Sequence, residues 1–328
     1  MSQPLSRRRF VGWASAAALA GTASAQSPAL ESLKIICGFP PGGTTDLVAR
    51  SVAEQLAGSY ARTAVVENRA GAGGRLAADA VRQAAADGSV MLLTPGSMLF
   101  LYPHIYKQLP YNPFADFVPV SVGANNVHAL AVGPMVPEAV RTVPDLLAWW
   151  RAHPKRTHYA SPGAGSTPHF IGSLVERAAG VQLTHVSYKG VQLAITDLLG
   201  GQLPVVIGPE GNFLPHLASG KLRVLATSGP RRSKFEPQVP TFQEQGLKDI
   251  NVEEWFGFFM PARTPADMVQ RAAAAIGVAI GHKPLTEGFA RMGMEAAAST
   301  PTALAARLKA DHDFWVPVVK ASGFSAES

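Results

Sequence analysis

The sequence contains little cysteine and little charge. Its one cysteine, Cys37, excludes an internal disulfide, a CxxC redox pair and a zinc site built from cysteines. Charged residues make up 16% of the 328 residues, and the formal net charge is +6. Without the run Arg7-Arg8-Arg9, 26 basic residues face 23 acidic ones, which leaves +3. Because no basic run recurs later in the chain, the charge predicts no nucleic-acid partner.

Motifs of the common enzyme classes are also missing. The nucleophile elbow GxSxG does not occur, which counts against a serine hydrolase. The nine histidines include no HExxH or HxH pair, so no metal site is predicted. No cofactor is predicted from any motif either. Five histidines are interpreted as surface or packing residues: His128, His158, His169, His185 and His216.

The amino-terminal segment has the pattern of an export signal. Ser6–Val11 resembles a twin-arginine motif, an uncharged stretch rich in Ala and Gly follows, and Ala23-Ser24-Ala25 is a small-x-small cleavage site. Residues 1–25 are therefore predicted to be a signal peptide, with a mature periplasmic chain from Gln26. The alternative is an uncleaved membrane anchor, but the run is short and weakly apolar for a span of about 20 residues.

Short apolar runs alternate with amphipathic segments along the rest of the chain. Leu33–Cys37, Thr63–Glu67 and Val90–Thr94 are strand-like, whereas Thr45–Leu56 has apolar residues at helical spacing. This alternation predicts an α/β fold with parallel sheets. A mature chain of about 300 residues exceeds what one core usually supports, which favours two domains.

A glycine-rich loop between the first strand and the first helix is the main candidate site. It runs from Gly38 to Asp46 and contains Gly42 and Gly43, which lack a Cβ and let backbone N–H groups approach a ligand closely. The unpaired N–H groups and partial positive charge of the helix start form a site suited to a carboxylate. The alternative is an ordinary tight turn. GxxxxGK[ST] and GxGxxG are absent from this loop, so it is not a known nucleotide motif.

Two further loops are rich in small residues. Residues 161–169 repeat the strand–loop–helix arrangement and add hydroxyl groups, so two such loops facing each other could hold both ends of a small anion. The alternative is again helix capping. Residues 70–75, a second glycine-rich turn, are interpreted as a site of close packing or lobe contact rather than phosphate binding.

Several motifs, taken in order, resemble the Bug family of extracytoplasmic solute receptors, which serve tripartite tricarboxylate transporters. The resemblance covers about Leu33 to Gly323. Its motifs are Phe39–Asp46 with Ala49-Arg50, Val65–Gly74, Leu109–Pro113 with Asp116–Ser121, Tyr188–Gly190 with Asp197–Gln202, Gly220–Arg223 and Val239–Thr241.

The resemblance implies a type II-like periplasmic-binding-protein fold, in which two α/β lobes are joined by two crossings and enclose a ligand cleft. Residues 27–125 and 252–328 would form lobe 1, and residues 126–251 would form lobe 2. Ligand would close the cleft by hinge motion.

The family pattern also implies ligand-binding residues at matching positions. Those in the first lobe are Pro40, Gly42, Gly43, Thr44, Thr45, Asp46 and Ser97. Those in the second lobe are Ser161, Gly163, Ser166, Thr167 and His169. Members often carry Phe-Asp-Asn after a later strand, and here Gly208 stands where that Asp is usual. Glu210 either enters the cleft and selects an amino or hydroxyl group, or faces solvent, so both Gly208 and Glu210 are retained as candidates.

Together these features predict a monomeric, non-enzymatic periplasmic receptor for a small carboxylate, such as a dicarboxylate, an acidic amino acid or an aromatic acid. The predicted partner is a membrane permease of the tripartite tricarboxylate type. A sensor that docks on a membrane kinase is an alternative that the sequence does not separate. A periplasmic hydrolase or isomerase working in the cleft is the alternative from another class.

Overall fold

The computed structural model describes residues 30–326. The predicted signal peptide, residues 1–25, lies outside this range. The described chain begins with a run of alternating strands and helices. These elements are β1 Leu30–Cys37, α1 Thr44–Leu56, β2 Ala61–Asn68, α2 Arg75–Arg82, β3 Val90–Pro95, α3 Ser97–Phe100 and α4 Tyr102–Ile105. β1 pairs in parallel with both β2 and β3, which is the arrangement predicted from the alternation.

The middle of the chain repeats this construction around a second group of strands. Its elements are β4 Phe117–Val132, α5 Val143–Ala152, β5 His158–Ser161, α6 Thr167–Ala179, β6 Thr184–Ser187, α7 Val191–Leu199, β7 Val205–Pro209, α8 Leu214–Leu217 and β8 Arg223–Thr227. β5 pairs in parallel with β6 and with β7.

The last part of the chain returns to the first group of strands. It contains β9 Glu253–Pro261, α9 Ala266–Ile280, α10 Lys283–Arg291, β10 Glu295–Ala296 and α11 Pro301–Ser322. β9 runs antiparallel to both β3 and β4. The strand order is β2-β1-β3-β9-β4-β7-β5-β6, so the mixed sheet is continuous along hydrogen-bonded neighbours. The α/β fold class predicted from the sequence is confirmed.

The long strand β4 connects the two groups of strands. Its residues 117–127 pair with β9, and its residues 128–132 pair with β7. The pairing partner therefore changes between Val127 and His128, two residues after the predicted lobe boundary at 125/126. The lobe boundaries themselves, at residues 125/126 and 251/252, stay predictions.

Apolar faces of the helices pack on both sides of the strands. In α1, Val48, Val52 and Leu56 recur every four residues and are fully buried, as their spacing predicts. Trp255 of β9 packs against Phe100, with ring centroids 5.9 Å apart. Among residues 30–326, none of the helices combines the length and apolar character that crossing a bilayer requires.

Candidate functional site

A cavity of about 650 Å³ lies between the β1–α1 loop and the strands of both groups. It is lined by loop residues 39–45 together with Pro95, Asn126, His128, Pro162, Pro209, Glu254 and Phe256. The predicted residues Pro40, Gly42, Gly43, Thr44 and Thr45 thus all line one cavity, and the second group of strands supplies part of the opposite wall.

The β1–α1 loop presents the start of α1 to this cavity. Gly43 is the residue before the helix, with extended backbone (φ −81°, ψ 173°), and no side chain caps the helix start. Gly42 has φ +84°, a left-handed conformation that favours glycine. The first backbone N–H groups of a helix have no partner within the helix. Such N–H groups at Thr44 and Thr45 have the chemistry that favours an anionic group.

Asp46 lies behind this loop and does not line the cavity. Its carboxylate accepts hydrogen bonds from the Gly42 N–H at 2.9 Å, from Arg50 Nε at 2.9 Å and from Asn68 Nδ2 at 2.8 Å. Burial alone would raise the pKa of the Asp46 carboxyl, but the hydrogen bonds from Arg50, Gly42 and Asn68 outweigh burial and lower it. The side chain is positioned to hold the loop in its conformation.

In the second predicted loop, residues 161–169, the serine hydroxyl groups form hydrogen bonds with other residues of the protein. Ser166 Oγ donates to the Gly163 carbonyl at 2.6 Å and accepts from the His169 N–H at 3.4 Å. Ser161 Oγ lies 2.8 Å from His185 Nε2. Of this loop, Pro162 lines the cavity, whereas Ser161, Gly163 and Ser166 do not.

His169 belongs to a different pocket. Its ring stacks on His185 with centroids 4.0 Å apart, and both rings line a separate cavity of about 600 Å³ that includes Phe324. Burial lowers the pKa of each histidine to about 4, so both rings are neutral near pH 7.

Ser97 and Thr167 both donate hydrogen bonds to Glu254, which was not among the residues predicted from the sequence. The Ser97 N–H donates to Glu254 Oε1 at 2.9 Å, and Thr167 Oγ1 donates to Glu254 Oε2 at 2.8 Å. Glu254 is 6% exposed and lines the cavity. Burial raises the pKa of its carboxyl to about 7, although the two hydrogen bonds oppose the shift. Glu254 therefore joins the β3–α3 connection to the start of α6.

Two further polar residues of the cavity lack partners. Asn126 and His128 are 7% and 3% exposed, and within residues 30–326 Asn126 Oδ1 and both ring nitrogens of His128 have no hydrogen-bond partner. Residues two apart in a strand share a face of the sheet, so both side chains project from the same side of β4. Burial lowers the pKa of His128 to about 3, and the ring is neutral near pH 7. The interpretation of His128 as an ordinary packing residue does not explain its unpaired nitrogens.

Of the two remaining candidates, Gly208 lies within β7 and Glu210 directly follows it, and neither lines the cavity. Gly208 pairs with Ala129 in the sheet, and a Cβ built on it would lie 2.6 Å from Val191 Cγ2. Glu210 is 1% exposed, and its Oε2 accepts from Ser233 Oγ at 2.6 Å. It lines a separate, much smaller cavity. Glu210 thus neither enters the larger cavity nor faces solvent.

The cavity lining combines apolar surface with a small number of polar groups. Among its lining residues in the described chain there is no lysine or arginine. Within residues 30–326, no group of three or more His, Cys, Asp or Glu side chains is arranged to hold a metal ion. The available groups are the N–H groups of a helix start, unpaired polar side chains and apolar surface, which suit a ligand with one anionic end.

Comparison with known proteins gives a consistent result. The protein-family model described as the tripartite tricarboxylate transporter family receptor matches residues 48–324. Protein BugT of Bordetella pertussis is 32% identical over 308 residues, which cover 94% of each chain.

Solved structures resemble the chain over most of its length. One is R. palustris Rpa4515 with adipate, 29% identical with a TM-score of 0.78, covering 90% of this chain and 98% of that one. Another is MatC from Rhodopseudomonas palustris with bound malate, 27% identical with a TM-score of 0.74, covering 88% and 98%. The periplasmic binding protein BugD is 28% identical with a TM-score of 0.75, covering 90% and 99%.

Proposed function

This chain belongs to the tripartite tricarboxylate transporter receptor family, whose members are periplasmic solute-binding receptors, and we propose that it captures a small carboxylate in the cavity at the start of α1. The captured acid is delivered to a membrane permease of the tripartite tricarboxylate type. The receptor acts as a monomer and is exported by its twin-arginine signal.

The uncapped start of α1 is the observation that carries the proposal. Thr44 and Thr45 line the cavity at the point where the first helical N–H groups lack partners within the helix. Asp46 supports this arrangement from behind, since it accepts the Gly42 N–H and thereby fixes the loop. A carboxylate at this position satisfies several N–H groups and interacts favourably with the helix dipole.

The position of the cavity supports ligand-coupled closure. Phe39 and Thr45 come from the proposed lobe 1, whereas Pro162 and Pro209 come from the proposed lobe 2. A ligand that contacts both walls stabilises the closed arrangement by its differential affinity. The binding residues that we propose in the first lobe are Pro40, Gly42, Gly43, Thr44 and Thr45. Ser97 of the first lobe and Thr167 of the second act through Glu254.

A thermal-shift screen of the mature protein against small carboxylic acids tests the proposal. An acid at about a hundred times its dissociation constant stabilises the protein by about 3 kcal/mol, because it binds only the folded state. The primary amide of the same acid is the matched control and should give little shift. Equal shifts by acid and amide would contradict the carboxylate site, and turnover of the acid would contradict a receptor.

Mass spectrometry of the supernatant of the denatured protein provides an independent readout. If the cavity binds an acid in the expressing cell, we expect that carboxylic acid to appear in the supernatant after denaturation. Deletion of the gene should also abolish uptake of that acid by the source organism, and unchanged uptake would contradict delivery to a permease.

A further inference from the structure

The walls of the cavity beyond the α1 start are mainly apolar. Phe39 and Phe256 line it, together with prolines from four different segments of the chain: Pro40 and Pro41, Pro95, Pro162 and Pro209. Such rigid apolar surfaces favour a ligand with a compact hydrophobic body. A flexible, fully polar acid would leave these surfaces without an apolar partner.

Hydrogen-bonding groups stand on the β4 wall of the same cavity. Asn126 Oδ1 and both ring nitrogens of His128 are buried and have no partner in the described part of the chain. Buried polar groups normally have partners, since an unsatisfied group loses its hydrogen bonds to water and gains none in return. A neutral imidazole offers one donor and one acceptor, and the Asn126 oxygen offers an acceptor. A hydroxyl group can both donate and accept, so it matches this pair.

Glu254 limits the charge that the far end of the ligand can carry. It lies directly opposite Asn126 in the antiparallel register of β4 and β9, so their side chains share a face. No lysine or arginine lines the cavity, so the described lining offers no cationic side chain to a second carboxylate. A second anionic group near Glu254 would meet an ionisable acid in a low-dielectric site.

We propose that the ligand is a monocarboxylate with an aromatic or alicyclic body and a hydroxyl group at its far end. The carboxylate lies at the start of α1, and the hydroxyl is recognised by His128 and Asn126. Short dicarboxylates such as adipate and malate are disfavoured by Glu254. This inference rests on the proposed function, because it assumes a carboxylate receptor and assigns its substrate class.

Isothermal titration calorimetry with four acids tests the assignment. The protein is first unfolded, dialysed and refolded to remove any retained ligand, and is then titrated with 4-hydroxybenzoate, benzoate, adipate or malate. We expect 4-hydroxybenzoate to bind about tenfold or more tightly than benzoate, since benzoate leaves the polar pair unsatisfied. Adipate and malate should bind more weakly than 4-hydroxybenzoate.

Variants of His128 and Asn126 test which side chain recognises the hydroxyl group of the ligand. His128→Leu should remove the preference for 4-hydroxybenzoate over benzoate, whereas His216→Leu, outside the cavity lining, should preserve it. Asn126→Ala provides a second variant if His128→Leu does not fold. Glu254→Gln should raise the affinity for adipate relative to 4-hydroxybenzoate.

The outcomes separate this inference from the proposed function. Tighter binding of adipate or malate than of 4-hydroxybenzoate would overturn the inference and leave the carboxylate receptor supported. An unchanged hydroxyl preference in the His128 and Asn126 variants would overturn the role of these residues. Absence of binding by all four acids would also overturn the inference, and mass spectrometry of retained acid would then decide the proposed function separately.

Discussion

Replacement of Glu254 by glutamine should stabilise the free protein at alkaline pH. The Glu254 carboxylate is 6% exposed and accepts from the Ser97 N–H and from Thr167 Oγ1. Glutamine retains the shape and loses the charge. Its Oε1 can still accept from Ser97, and its Nε2 can donate to Thr167 after the threonine hydroxyl rotates. Both contacts therefore survive the substitution.

The magnitude follows from the difference between the folded and unfolded pKa values. Burial raises the pKa of Glu254 from 4.5 to about 7. Between these values the unfolded chain has lost the proton that the native state still binds, so stability falls as the pH rises from about 4.5 to about 7 and then levels off. A shift of this size is worth about 3 kcal/mol. Glu254→Gln should therefore exceed the wild type by about 3 kcal/mol at pH 8 and match it at pH 4.5.

Urea unfolding of ligand-free protein at pH 4.5 and pH 8 measures this difference. Glu210, Glu236 and Asp311 also have pKa values raised by burial, so the comparison uses the variant minus the wild type at each pH. Glu253→Gln is the matched control, since Glu253 pairs with Arg307 outside the cavity lining. A Glu254→Gln protein that is less stable than the wild type at pH 8, or a stability difference that is independent of pH, would contradict a raised pKa of the buried Glu254 carboxyl.

Three further predictions concern Asp46 behind the β1–α1 loop, the contact of Gly74 with Met98, and the predicted signal peptide. Asp46→Ala should lower the free energy of unfolding by about 2 kcal/mol and weaken carboxylate binding, because three donors lose their acceptor; unchanged urea curves and calorimetric affinity would contradict this. Gly74→Ala should cost about 1–3 kcal/mol in urea unfolding, since its φ is +92° and a Cβ would lie 2.5 Å from Met98 Sδ. Gly220→Ala, at φ +67° with nothing within 4 Å, should lower the free energy of unfolding by less, and equal losses in the two variants would exclude a clash between the Cβ added at Gly74 and Met98. Removal of residues 1–25 should leave the far-UV circular dichroism and melting temperature unchanged, and failure to fold would contradict a signal peptide.

Local patterns were sufficient to predict much of the fold. Val48, Val52 and Leu56 mark the buried face of α1 by their spacing alone. Gly42 marks the strand-to-helix turn because its φ of +84° is a left-handed conformation that other residues avoid. Gly74 packs against Gly38, where a Cβ on Gly38 would lie 2.6 Å from the Gly74 Cα. This contact is the close packing predicted for the second glycine-rich turn.

The far wall of the cavity could not be predicted in this way. Asn126, His128 and Glu254 come together only through the register of β4 against β9 and through the change of partner along β4. A one-residue shift in register would turn these side chains to the other face. A polar residue within an apolar strand is the available signal, but it does not say what the strand faces.

The loop of residues 161–169 shows a second reason why the binding site could not be predicted fully from the sequence. Its serines have the residue types of an anion site, yet Ser166 Oγ caps α6 and bonds to Gly163 within the loop. The same hydroxyl serves a cap or a ligand, and sequence spacing does not separate the two uses. Gly208 is explained by packing, because Val191 fills the space beside it.

If a carboxylate binds at the start of α1, its affinity should depend strongly on a single negative charge placed at the same helix start. Thr44→Asp puts a carboxylate at the first helical position, where it competes for the same N–H groups and repels an anionic ligand. Thr44→Asn has nearly the same shape without the charge. Calorimetry with the acid that gives the largest thermal shift should show at least about a tenfold loss of affinity for Thr44→Asp relative to Thr44→Asn. Equal affinities in the two variants would contradict carboxylate binding at the start of α1.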